Sequence, residues 1–149
     1  MAISQAMVTS FKVEILDGVH NFGVGVVRAS TAADTFKLAL YTSSADLGAA
    51  TTVYTTTAEV SASGTYSAGG GTLSGVAVSS SGTTAWVTFS NISFTSATIT
   101  ARGALIYNAS KGNKSVAVLD FGSDKSSFGG TFTVQMPVAD ATNALIRIA

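Results

Sequence analysis

The sequence predicts an all-β, mainly antiparallel domain, a β-sandwich or jelly roll of roughly eight strands with a short N-terminal helix. Three observations predict it. The chain is rich in Ser, Thr, Gly, Val and Ala with a single proline, a composition of short strands joined by polar turns. From residue 72 onward, short apolar runs alternate with polar residues at close spacing, and no βαβ pattern, internal repeat or linker interrupts them. At 149 residues the chain is long enough to bury one core without a disulfide or metal, so residues 1–149 read as a single domain.

Each element has its own warrant. Ile3, Met7, Phe11 and Ile15 recur every fourth residue, predicting a helix over residues 3–16 with Ser4 as N-cap and Gly18 as stop, inside an N-terminal segment 1–18 that is helical or extended. Its apolar face, with Met7 and Phe11, is a candidate partner contact. Residues 22–28 and 35–41 read as strands, the second half-buried, with Phe36, Leu38 and Leu40 on one face and Lys37 and Tyr41 on the other. Residues 42–71 are small and polar and read as long loops around a short strand, while glycines 69 to 71 mark a turn or bulge where only a residue without Cβ fits. Strands follow over 72–78, 84–89, 97–108, 115–121, 131–136 and 144–148. Residues 80–83, 111–113 and 122–130 supply the polar links between neighbouring strands. The run 131–136 alternates cleanly, with Phe132, Val134 and Met136 opposite Thr131, Thr133 and Gln135.

Composition narrows function. Eight basic and eight acidic residues cancel, leaving no field for nucleic acid, which is not an expected partner. The mean hydropathy of +0.42 hints at a membrane, but Ser, Thr, Gly or a charge breaks every apolar run well short of the roughly 18 residues of a span. No basic and apolar leader opens the sequence, so export by a cleaved signal is not expected. Zero cysteine removes disulfides and thiolate metal sites and leaves the compartment open. Only 11% of residues are charged, which suits a surface partly covered by a partner.

The candidate sites are weak as chemistry. Gly23-Val-Gly-Val-Val-Arg28 lacks the third glycine of a dinucleotide loop, and Asp120-Phe-Gly122 has no phosphate or catalytic loop beside it. Asp120 and Asp124 fall short of a calcium loop and read as turn acceptors. His20 has no spaced partner and reads as a turn or surface histidine. The acceptor patterns at Asn91, Asn108 and Asn113 are those a Ser/Thr-rich chain produces by chance. No base, nucleophile and orienting group assemble from neighbouring positions, so no enzyme, cofactor or metal is expected. Arg102 sits among small and apolar residues and wants a carboxylate, from Asp120 or Glu59, as a structural ion pair. Trp86 faces with Thr84 and Thr88, away from Ala85, Val87 and Phe89, and reads as exposed to a partner.

The phrases Ser10-Phe-Lys-Val-Glu-Ile-Leu-Asp-Gly-Val-His-Asn-Phe22, Phe36-Lys-Leu-Ala-Leu-Tyr-Thr42, Thr100-Ala-Arg-Gly-Ala-Leu-Ile-Tyr-Asn108, Val118-Leu-Asp-Phe-Gly122, Gly130-Thr-Phe-Thr-Val134 and Ile146-Arg-Ile-Ala149 occur in this order. Together, and over nearly the whole length, they resemble a family of small virion structural proteins of tailed bacteriophages. The resemblance implies a head decoration (cement) protein on the outer capsid surface, assembled in the host cytoplasm. It also implies a homotrimer and the major capsid protein as partner. It carries no functional residue across. A tail or fibre module binding host carbohydrate is the alternative, and it requires Trp86 as an exposed aromatic platform.

Overall fold

The computed structural model describes residues 2–16, 18–23 and 33–149. Its elements run β1 (Ala6–Met7), α1 (Thr9–Leu16), β2 (Phe36–Tyr41), β3 (Gly71–Thr72), β4 (Ala77–Ser81), β5 (Thr84–Thr88), β6 (Ile92–Asn108), β7 (Lys114–Val134) and β8 (Ile146–Ile148). They form two antiparallel sheets, ordered β1-β7-β6-β2-β3 and β4-β5-β8. The all-β, mainly antiparallel class read from the sequence is the observed one. Phe22, Phe36, Val87, Phe89 and Ile146 belong to one buried cluster that joins the sheets. The Phe22 and Phe36 rings stack at 4.4 Å, and Phe89 meets both edge-on at 6.3 Å.

The large sheet is built on the β6–β7 hairpin. Its turn carries Gly112 and Asn113 at φ +63° and +57°, the left-handed positions that a tight reversal asks of glycine and asparagine. From there β6 and β7 pair, with four shifts of register, out to Ile92↔Val134. Residues 122–130, read from sequence as a link between two strands, lie inside β7. Gly122 and Gly129 are bulge residues, while Gly130 pairs with Ala97. Four residues, Phe121 to Asp124, oppose Arg102 between the pairs Gly103↔Asp120 and Ala101↔Lys125, with Gly122 at φ +75°. Phe128 and Gly129 together oppose Thr98, with Gly129 at φ +66° and its N–H donating to Thr98 Oγ1 at 3.0 Å. A bulge absorbs the extra residue that a turn would otherwise need.

β2 is buried on both faces, since Ala39 and Tyr41 are as inaccessible as Phe36, Leu38 and Leu40. The half-buried expectation failed because residues 42–71 fold back over the sheet. Val60 N–H donates to Leu40 O at 2.9 Å and Thr42 N–H to Ala58 O at 3.0 Å, and the Tyr54 ring stacks on Tyr107 of β6 at 4.7 Å. The opposite face receives the aromatic cluster and the small sheet.

The expected helix over 3–16 is half strand. Ala6 and Met7 pair with Val118 and Ala117, Ser4 donates its N–H to Leu47 O at 2.8 Å rather than capping a helix, and α1 begins at Thr9. The four-residue spacing misled because the edge of β7 offers backbone partners there, and buried N–H and C=O groups demand them. Ile3, Val8 and Phe11 are buried in this chain's own core and Met7 packs half-buried against it. Phe11, at 0% exposure, is no partner contact. Most of the strand expected over 22–28 lies outside the described residues.

Candidate functional site

The fold gathers polar side chains into three clusters, two of them turned inward and one partly in solvent. The first is the anticipated brace: Arg102 Nε donates to Asp120 Oδ1 at 3.2 Å across the hairpin. Asp120 also accepts the Gly122 N–H at 2.8 Å. That backbone bond and then Arg102 hold its carboxyl below the usual range. Both side chains are about a third exposed, so the pair is worth under about 1 kcal/mol.

Glu59 is not its second partner. It stands on the other side of β2, where the loop brings all four tyrosines of the chain together. Glu59 Oε1 accepts from Tyr66 OH at 2.8 Å and from Gly69 N–H at 2.7 Å, and Oε2 accepts from Tyr54 OH at 2.6 Å. Tyr66 OH in turn accepts the Leu40 N–H at 2.9 Å. Tyr107 OH donates to Gly69 O and Tyr41 OH to Thr55 O, each at 2.6 Å. Burial first, and the Glu59 carboxylate next to it, push all four phenols above their ordinary range. A phenol raised in the folded state contributes stability that is complete below about pH 10, its unfolded value, and is lost as pH climbs through the folded value. Alkaline titration is therefore expected to show no phenolate absorbance until the chain unfolds cooperatively. Phenolate appearing gradually on the folded protein contradicts the arrangement.

The third cluster was missed in the sequence. His20, expected in a turn or at the surface, has no side-chain exposure and sits against Phe11, Phe22 and Phe36. Its Nε2 meets Glu14 Oε2 at 2.7 Å and its Nδ1 meets Asn108 Nδ2 at 3.0 Å. Asn108 is fully buried. Its Nδ2 also donates to Asp34 Oδ2 at 2.8 Å, and its Oδ1 accepts the Ser110 N–H at 3.0 Å. These bonds fix the amide orientation, and so Nδ1 of the imidazole accepts while Nε2 carries the proton. Lys114 Nζ donates to Glu14 Oε1 at 2.8 Å, and Lys111 lies 3.4 Å from Asp34. The network staples α1 and residues 18–22 to the turn end of the hairpin. With both nitrogens engaged, the imidazole offers none to a substrate.

Burial alone would raise Glu14, but the bonds from Lys114 and His20 outweigh it and hold the carboxyl below its usual range. A depressed carboxylate contributes stability above its unfolded value and loses it as pH falls through the folded one. Glu14→Gln is therefore expected to flatten the acid limb of stability below about pH 4.5. Urea midpoints measured across that limb check this; an unchanged slope refutes it.

No family model, curated protein or solved structure matches this chain.

Trp86 is 9% exposed, which corrects its reading as an exposed contact. It does face away from Ala85 and Val87, but Arg147 lies opposite it in the register, and Arg147 Nη1 donates to Ala141 O at 3.1 Å. The turn before β8 is thereby tied to that face, and the indole is enclosed. What does reach solvent is the distal hairpin. Phe128, lifted by its bulge, is 83% exposed, and a shallow cleft of about 400 Å³ lies along β7 between Phe121, Lys125 and Thr131 to Gln135. Beyond Asp120 the outer edge of β7 has no backbone partner among the described residues. Among those residues, no group of three His, Asp or Glu gathers to hold a metal. The sequence signal for Phe128 was its position between Ser127 and Gly129-Gly130, a large apolar residue in a polar, glycine-rich run.

Proposed function

We propose that this chain is a non-enzymatic virion structural protein of a tailed bacteriophage, a decoration (cement) protein that binds across major-capsid subunits on the outer capsid surface. The observation that carries the reading is the distal β7 surface, where Phe128, lifted by its bulge, is 83% exposed. A large exposed aromatic is the side chain that anchors protein interfaces. The rest of the molecule supports it: the Glu59, His20 and Arg102 clusters spend their polar groups on bracing, which suits a rigid clamp under mechanical load. Binding strength would come from several modest contacts engaged together, each roughly 1,000 Å² or more. The carbohydrate-binding alternative loses its aromatic platform with the burial of Trp86.

Imaging of purified virions tests the role, with density for the chain expected on the capsid shell; a tail position or absence from the particle overturns it. Phe128→Ser is expected to leave the melting temperature within error, because the ring touches little of its own fold, and to lower capsid occupancy by roughly tenfold or more, as loss of a central aromatic anchor does. Undiminished occupancy removes Phe128 from the contact.

A further inference from the structure

The two sheets treat their outer edges differently. Along β7 the open edge is interrupted by the bulges at Gly122 and Gly129 and carries Asp124 and Lys125. Bulges and charges are the features that keep an edge strand from pairing with another chain. A two-fold pairing of antiparallel strands sets the central residue opposite itself, so registers centred on Asp124 or Lys125 place like charges face to face.

β4 has none of these defences. Its sequence, Ala-Val-Ser-Ser-Ser, holds no charge and no proline, and its five residues pair with β5 in unbroken register from Ala77↔Thr88 to Ser81↔Thr84. All five are exposed, Val78 by 55%, and the strand's outer edge has no pairing partner among the described residues. A regular, uncharged strand with one satisfied edge is a template for one more strand.

We propose that β4 is a self-association edge, through which two copies of this chain pair antiparallel about a two-fold axis at Ser79 and join their small sheets into one. In this register Ser79 faces the partner's Ser79, Val78 faces the partner's Ser80 and Ala77 faces the partner's Ser81. Residues directly opposite share a face, as the pleat requires. Three features favour a second copy as the occupant. The self-facing strand brings no like charges together, and the chain's formal net charge is zero, so two copies approach without repulsion. The two Val78 side chains meet across the diagonal. They do so on the face that carries Val87 and Ile146, which stand in line with Val78 in the register, and so extend an apolar surface already in use. A five-residue contact is smaller than a standard interface. Association in dilute solution is therefore weak and grows where many copies are held on one surface. A two-fold contact differs from the trimer implied by resemblance, and it is independent of the virion reading.

Sedimentation of the full chain over a concentration series tests it. The unmodified protein is expected to pass from monomer to dimer. Ser79→Lys and Ser79→Glu, both at an exposed position, are each expected to keep the circular dichroism and melting temperature of the parent and to weaken dimerisation by roughly tenfold or more, because each sets like charges opposite one another. An equimolar mixture of the two variants is expected to restore the dimer. A parent that stays monomeric at every concentration, a trimer, a Ser79→Lys protein that dimerises as the parent does, or a mixture that fails to associate each overturns the proposal.

Discussion

Replacing Glu59 by alanine is expected to cost about 3–4 kcal/mol of folding stability, among the largest effects of any single polar substitution in this chain. Three donors converge on its carboxylate, from Tyr54, Tyr66 and the Gly69 backbone. Hydrogen bonds to a charged group are worth roughly 1.5–3 kcal/mol each, and truncation leaves the Tyr66 hydroxyl and the Gly69 N–H without their acceptor in places where both residues are buried. Glu59→Gln keeps the shape and loses the charge, so about half the penalty is expected. Urea unfolding followed by the near-ultraviolet tyrosine signal measures both. A loss under about 1 kcal/mol for the alanine variant would mean that water takes the carboxylate's place, and the cluster would then be ornament. For contrast, Arg102→Ala removes a pair of similar appearance in the sequence and should cost far less, since that pair lies partly in solvent.

Gly70→Ala is expected to destabilise by more than about 3 kcal/mol, through a different mechanism. The residue sits at φ +72°, where a side chain adds roughly 1–2 kcal/mol of backbone strain. The new Cβ would fall 1.8 Å from Leu38 O and 2.7 Å from Ala39 Cα. Those are backbone atoms of β2, the strand buried on both faces, so no side chain can swing aside to make room. The Gly70 N–H also donates to Ser67 O at 2.9 Å, which ties the turn against the sheet from the other direction. Gly82→Ala is the control, with φ +58° and nothing within 4 Å of the added carbon; it should show the strain alone. Equal losses at the two positions would remove the steric argument.

How far the sequence could be read depends on whether a residue's neighbours are local. The alternation of residues 131–136 was legible, and Phe132 and Val134 are buried while Thr131 and Thr133 are exposed, because a strand with one wet face writes its period directly into the chain. The glycine run at 69–71 was legible for the same reason: its requirement is in its own backbone. Residues 122–130 were misread because a glycine at positive φ serves a turn and a bulge equally well. Only the register with β6 separates the two. β2 was read as half-buried because its second cover comes from a loop with almost no apolar periodicity, anchored by tyrosines scattered from Tyr41 to Tyr107. His20 was invisible as a cluster because Asn108 lies 88 residues away, and Glu59 because its partners, though within ten residues, follow no regular spacing in an irregular loop. Arg102 and Asp120 were found because they lie on consecutive strands of one hairpin.

The placement of β1 has a consequence for how the chain reaches this structure. The β6–β7 hairpin closes through a short turn and can zip outward from Asn108 and Lys114 with only small loops to order at each step. Ala6, by contrast, pairs with Val118, and it can do so only after that hairpin exists, because the edge it joins belongs to β7. A segment that precedes the hairpin by about a hundred residues is thus among the last to find its place. Until it does, the inner part of β7 stands with its backbone open, at the stage when a folding chain is most exposed to aggregation.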